Sequence, residues 1–397
     1  PMAKQNKHLD HLEDRIILDG AQGGHTAIAL LKAMLSFLNG KAKSNIAVTT
    51  KWDGAPAIVC GIDPVDGKFF VGTKSVFNKQ DPKVCKTQSD IRRLYSGALA
   101  QKLSAALQYL PQSVKRGILQ GDLMFTNDKK KEIIQGKNFI TFRPNTITYA
   151  ANPDTQLGKD IAKANIGIVF HTKYEGPTIQ ESKATFKVTK QDFFSGGRVW
   201  AEYATFKDIT GVATLTGSDM QRYQNYIRMA EGSLSKCAGL LEAIQSGKKT
   251  LAVDTEFLKF FNGYVKAGRP IPSVKQAYED FTAHLGAEYD KAMMGKQKST
   301  QSKKAKMWAR TMYMYTARAQ EFKFLIATYM NLQGAKHILV NKLKKVSQLN
   351  LFVDKGNGNY ETTTPEGFVA IQDGKATKLI DRLEFSKLNF TIPKVWG

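Results

Sequence analysis

The chain is poor in cysteine. Only Cys60, Cys85 and Cys237 occur in its 397 residues, too few and too scattered for a disulfide framework or a cysteine zinc site. They fit a reducing interior, and a cytoplasmic, intracellular protein is expected. Long apolar runs are missing as well. No stretch approaches about 18 uninterrupted apolar residues, which excludes a helical membrane span and a membrane partner of that kind. Residues 1–8 are polar and lack the apolar region of a secretion signal. The six histidines show no metal-binding spacing on one helix face. Glycines 20, 23 and 24 precede a helical pattern, but no Gly-Lys-Ser/Thr follows, so a phosphate-binding loop is not expected there.

Acidic residues are scarce relative to basic ones. Lys and Arg total 58 against 35 Asp and Glu, a net charge of +23. A surplus of that size points to a polyanionic partner, nucleic acid foremost. It is unevenly spread. Between residues 287 and 345 thirteen basic side chains face only Glu288, Asp290 and Glu321. With 42% hydrophobic residues the chain has ample material for a core, and its length suggests two or three structural units.

Three zones emerge along the chain. Up to about residue 204, helical patterns alternate with strand-like runs. One helix is predicted from Thr26, with Ile28, Leu31, Leu35 and Leu38 on one face and Gly40 at its end. A second is predicted from a Ser89 cap through Ile91, Leu94, Leu99, Leu103 and Leu107 to Pro111. Residues 57–60 and 69–72 flank a turn-rich segment and read as a hairpin. Residues 117–125 and 166–171 read as further strands. Residues 205–348 read as helical, with helices at 218–245, 254–267, 273–294, 304–332 and 335–346 and an exposed loop at 295–304. Strand character returns at 351–353, 367–371 and 376–380. The reading is an α+β unit of residues 1–204 and 349–397, interrupted by a basic helical insertion, 205–348, that binds nucleic acid.

The residues suited to chemistry follow one another in order. Lys51-Trp52-Asp53-Gly54 lies between an apolar run and a strand. Lys74 follows the strand Phe70-Val71-Gly72. Asp122 sits inside Leu119-Gln120-Gly121-Asp122-Leu123. Phe170 ends Ile168-Val169-Phe170. Glu366 opens Glu366-Gly367-Phe368-Val369-Ala370, and Lys375 and Lys378 share the strand that follows. A lysine attacks phosphorus only as the free amine, and its ordinary pKa of about 10.4 keeps it protonated. Neighbouring cations and partial desolvation favour the neutral form. Lys375 and Lys378 are cations of that kind, and such cations also offset charge on a phosphate in flight. Asp122 and Glu366 carry hard carboxylate oxygens, the donor type that Mg²⁺ or Mn²⁺ takes. Gly54 and Gly367 let the backbone approach a ligand closely.

These motifs resemble those of the covalent nucleotidyltransferase superfamily, comprising ATP-dependent DNA ligases, RNA ligases and capping guanylyltransferases. The resemblance covers residues 51–170 and 366–380. It implies the ligase adenylation fold, antiparallel sheets with flanking helices. It makes Lys51 the nucleophile that forms lysyl-AMP, and Lys375 and Lys378 the lysines that assist. It gives nucleotide-binding roles to Asp53, Gly54, Lys74, Asp122, Glu366 and Lys378, and base stacking to Phe170. It makes Asp122 and Glu366 the metal ligands. Lys74 stands where the family usually has arginine, Asp122 where it has glutamate, and Lys375 and Lys378 are spaced more widely than its Lys-x-Lys. Only 19 residues follow Lys378, too few for the oligonucleotide-binding barrel of DNA ligases and capping enzymes. The reading that follows is a monomeric phage-type RNA ligase that uses ATP and Mg²⁺ and prefers RNA to DNA, with Lys303, Lys304, Lys306 and Arg310 on the polynucleotide. DNA ligation, GTP-dependent capping, and a non-catalytic nucleic-acid-binding protein on a decayed ligase scaffold stay open. In Met307-Trp308-Ala309-Arg310-Thr311-Met312-Tyr313-Met314-Tyr315 the aromatics read as a core stripe, or else as stacking partners for unpaired bases.

Overall fold

The computed structural model describes residues 10–38, 46–185, 188–204, 215, 217–247, 253–294, 298–344, 349–356, 358–363, 367–372 and 375–383. In chain order, helices α1 (Arg15–Leu18) and α2 (Gly20–Leu38) come first, then strands β1 (Ile46–Lys51), β2 (Ala57–Ile62) and β3 (Phe69–Gly72). Helices α3 (Gln88–Leu94) and α4 (Gly97–Tyr109) precede β4 (Ile118–Phe125), β5 (Lys130–Ile134), β6 (Lys137–Phe142) and β7 (Thr148–Ala151). Next are α5 (Gln156–Lys163), β8 (Ile166–Glu175), β9 (Lys183–Thr185) and β10 (Val199–Tyr203). Five helices follow: α6 (Gly217–Ser246), α7 (Val253–Lys266), α8 (Val274–Met293), α9 (Lys298–Ala317) and α10 (Ala319–Leu343). The last strands are β11 (Asn350–Asp354), β12 (Tyr360–Thr362), β13 (Gly367–Gln372) and β14 (Lys375–Leu379). The protein is therefore mixed α and β with largely antiparallel sheets, and no described helix is long and apolar enough to cross a membrane.

The chain forms two compact units. One takes residues 1–46, 210–345 and 375–387; the other takes 47–209, 346–374 and 388–397. The expected division at 1–204, 205–348 and 349–397 thus shifts. Helices α1 and α2 pack with α6 and α7, and β14 joins them through a parallel bridge between His11 and Lys378.

The strand-rich unit holds a six-stranded sheet ordered β10-β8-β4-β2-β3 with β9 on the free side of β8, and a five-stranded antiparallel sheet ordered β12-β11-β7-β6-β5. In the larger sheet only β10 and β8 run parallel. The expected hairpin forms, with Cys60 opposite Val71. One sheet face carries Ile58, Cys60, Leu119, Ile168, Phe170 and Ala201 and is covered by Leu103 and Ala106 of α4. The expected single helix over this face is two helices. Its cap is Thr87 rather than Ser89, in a reciprocal capping box with Asp90. Tyr95 and Ser96 are extended, and Gly97 takes φ +60°, so the chain turns before α4 begins.

In the helical unit, α2 starts at Gly20 and not Thr26, whose hydroxyl donates back to the Gln22 carbonyl within the helix. The expected helices 304–332 and 335–346 are divided instead at Arg318. Gly334 lies inside α10, where a Cβ would come within 2.5 Å of the Tyr226 ring, so it permits close packing on α6 rather than ending a helix. Helix α9 also runs into the expected 295–304 loop; residues 295–297 lie outside the described ones.

The core of this unit contains charge. Both carboxylate oxygens of Glu13 accept from Lys336 Nζ at 2.7 Å, and both residues are buried. Arg382 pairs with Asp14, which also accepts from the Tyr329 hydroxyl at 3.0 Å. The cations Lys336 and Arg382 overcome burial and hold the Glu13 carboxyl down at about 2. His11 is likewise held down to about 2, first by desolvation and then by Arg382 and Lys336. An unfolded His11 binds a proton below its ordinary value of about 6.5 while the folded one does not, so stability falls as pH drops below that value. Glu13, held down, adds to that loss in more acid solution, while Asp14, which burial pushes up, offsets part of it. The urea midpoint of this unit should therefore fall from about pH 7 to about pH 5, and His11→Gln should flatten that fall. An unchanged slope in the variant refutes the assignment.

Candidate functional site

Asp53 organises the segment around Lys51. It is 4% exposed, and burial pushes its carboxyl above the usual carboxylate range. Three donors oppose that rise. Asn145 Nδ2 donates to one carboxylate oxygen at 2.8 Å, and the backbone N–H groups of Thr146 and Ile147 donate to the other at 2.7 and 2.8 Å. The Lys51 ammonium adds a favourable charge. The Asp53 N–H in turn donates to the Tyr149 hydroxyl at 2.8 Å. The segment after β1 is thereby tied to the chain leading into β7.

Aromatic packing reinforces the tie. Trp52 stacks on Tyr149 with ring centroids 5.3 Å apart, and Tyr149 stacks on Phe142 at 5.5 Å. Phe125 of β4 and Trp200 of β10 complete the cluster. Such pairs add about 0.5–1.5 kcal/mol each beyond the area they bury.

Gly54 then lies directly on β4. A Cβ there would meet Asp122 Cβ at 2.5 Å and Met124 Sδ at 2.9 Å. Backbone hydrogen bonds fix this approach: Ala55 N–H donates to Leu123 O and Leu123 N–H to Pro56 O, each at 3.0 Å. Ala57 pairs with Asp122 in the β2–β4 register. Trp52 and Gly54, which follow Lys51 at the end of β1, thus lie over the sheet face that carries Asp122, about 70 residues further along the chain.

Two residues on that face carried no sequence signal. Gln120 pairs with Thr172 and Gly121 with Phe170, which leaves His171 as the extra residue of a bulge. Its Nε2 lies 3.7 Å from Asp122 Oδ1. Glu202 pairs with Val169, which also pairs with Asp122. Laterally paired residues share a face, so Asp122 and Glu202 flank Val169 about 10 Å apart at the backbone.

Phe170 does not reach this face. It is fully buried against Phe193 and α4, so it cannot stack on a base, which is a correction to its expected role. The expected polar donors are placed as follows. Lys74 is exposed at the start of a 3-10 turn capped by Thr73. Lys375 is exposed, and Lys378, half-buried, forms backbone hydrogen bonds to Asp10 and Leu12; both belong to the helical unit. Glu366 lies outside the described residues. On α9, Lys303, Lys306 and Arg310 are exposed, while Lys304 is half-buried at the head of the row Trp308, Thr311 and Tyr315.

As a metal site, this face offers the hard oxygens of Asp122 with waters or phosphate oxygens completing the shell, a donor set that suits Mg²⁺. Among the described residues no group of three or more His, Cys, Asp or Glu surrounds a common point. Asp53 accepts three hydrogen bonds and thereby fixes the segment that carries Lys51. Asp53→Ala leaves three buried donors unpaired and should cost about 2–4 kcal/mol in chemical denaturation. A loss below about 1 kcal/mol shows that the clamp is not needed.

Comparison with curated proteins and with solved structures returned no match. Residues 6–394 match the model of a family of unknown function (DUF6267), and the chain belongs to that family.

Proposed function

We propose that the protein is an ATP-dependent polynucleotide ligase, with RNA the favoured substrate, working through a lysyl-AMP intermediate on Lys51. The observation that carries this reading is the clamp of Lys51-Trp52-Asp53-Gly54 onto β4 beside Asp122. Two elements of the motif resemblance, distant in sequence, meet on one sheet face. The net charge of +23 suits the substrate class.

In the first step Lys51 Nζ, having lost its proton, attacks the α-phosphorus of ATP. A nitrogen–phosphorus bond forms, the bond to the bridging oxygen breaks, and pyrophosphate leaves. An oxygen of a 5′-phosphate end then attacks the same phosphorus and frees the lysine. A 3′-hydroxyl next attacks the 5′-phosphorus, expels AMP and closes the strand. Asp122 is the described residue that would hold Mg²⁺, which when bound offsets phosphate charge. Asp53, held by its three donors, fixes the segment that carries Lys51, and a well-oriented attacker gains much of its rate from such placement. Exposed Lys74 supplies a point charge for phosphate.

Protein freed of bound nucleotide is incubated with Mg²⁺ and α-labelled ATP or GTP and resolved on a denaturing gel. Covalent label from ATP is expected, and Lys51→Ala should reduce it to background. Label from GTP alone replaces ligation with capping. Label from neither nucleotide overturns both enzymatic readings and leaves a non-catalytic nucleic-acid-binding protein.

A further inference from the structure

Helix α9 has two unlike faces. Trp308, Thr311 and Tyr315 are 4%, 0% and 0% exposed. Tyr315 stacks on Tyr278 of α8 at 4.7 Å and donates to the Tyr278 carbonyl at 2.6 Å, so these aromatics are core. The other face carries Lys303, Lys306, Arg310 and Tyr313, all exposed. Their spacing of three, four and three residues sets them in one stripe along the helix. Tyr313 is 75% exposed, although a tyrosine ring normally recovers free energy by burial. No acidic residue occurs anywhere in α9. None of the three cations takes part in an ion pair with another described residue. By contrast, Lys259 of α7, Lys291 of α8 and Arg318 at the start of α10 are paired with Glu288 and Glu321.

We infer that the outer face of α9 binds single-stranded polynucleotide, with Lys303, Lys306 and Arg310 on successive phosphates and the Tyr313 ring stacked on an unpaired base. The stripe from residue 303 to 313 is about 15 Å long, which spans about four stacked nucleotides at about 3.4 Å each. Cations alone would serve a duplex equally well. The exposed ring at the end of the stripe distinguishes the strand, because a base inside a duplex offers no free face to it. Lys304, on the inner row, takes no part. The inference deepens the proposed function by naming the form of polynucleotide held and the surface that holds it; it rests on that reading only for the substrate class.

The full-length protein is titrated with fluorescent single strands of about 16 nucleotides, one RNA and one DNA, and with the matching duplex, over a range of salt. Lys303→Gln, Lys306→Gln and Arg310→Gln combined should weaken single-strand binding and make its logarithmic salt slope shallower by about 2, near 0.7 for each phosphate no longer neutralised. Tyr313→Ala should weaken single-strand binding about tenfold or more with the salt slope unchanged, while Tyr313→Phe retains it. Duplex binding should not respond to Tyr313→Ala. Comparison of the RNA and DNA arms tells which sugar is preferred. An unchanged slope and affinity in the triple variant, or a silent Tyr313→Ala, overturns the proposal, with circular dichroism melts confirming that each variant is folded. Covalent labelling of Lys51 is measured in parallel on the unaltered chain. Label without strand binding refutes the α9 face alone, and strand binding without label refutes the ligase reading alone.

Discussion

The buried carboxylate of Asp53 is the constraint on which the strand-rich unit depends. An ionised carboxylate taken out of water is costly unless donors replace the water it loses. Here an asparagine amide and two successive backbone N–H groups do so, all from the segment that enters β7. The same three bonds that make burial tolerable also decide where Lys51 stands. The lysine comes one residue before the stacked Trp52 and two before the buried anion, so it inherits a fixed position without being buried itself.

From that anchor the sheet face follows. Gly54 can lie against Asp122 only because it has no side chain, and Asp122 points to that face because its neighbours Gly121 and Leu123 point to the other. The bulge at His171 then breaks the alternation of β8. It leaves Phe170 in the core and turns His171 towards Asp122. A residue expected to stack on a base is thus a core residue, and its neighbour occupies the open face.

The helical unit solves a related problem differently. Glu13, Asp14 and Lys336 are buried and Arg382 nearly so, with Lys336 against Glu13 and Arg382 against Asp14. Replacing one partner in such a network costs more than the network contributes, because it strands the other charge. On α9 the balance is reversed: its outer cations have no partner among the described residues, and the exposed Tyr313 stands with them. Charge is compensated inside this unit and left open on one helix face.

Local patterns were strong enough to show the hairpin of β2 and β3, the strands β4 and β8, and the helical character of the long central segment. Periods of two and of 3.6 residues survive whatever the chain packs against. Cap positions were less legible, since Thr87 and Ser89 are both good caps and only the Asp90 reciprocal bond selects Thr87. The sequence by itself determined the order of the motif residues, the basic surplus and its concentration near α9. Only tertiary structure decided that Asp53 is an anchor, that Phe170 is core, that His171 and Glu202 share a face with Asp122, and that Tyr313 rather than Trp308 or Tyr315 meets solvent. Each of these depends on which residues lie opposite across a sheet or a helix pair. A bulge or a hydrogen bond spanning some 90 residues leaves no local trace in a chain read one window at a time.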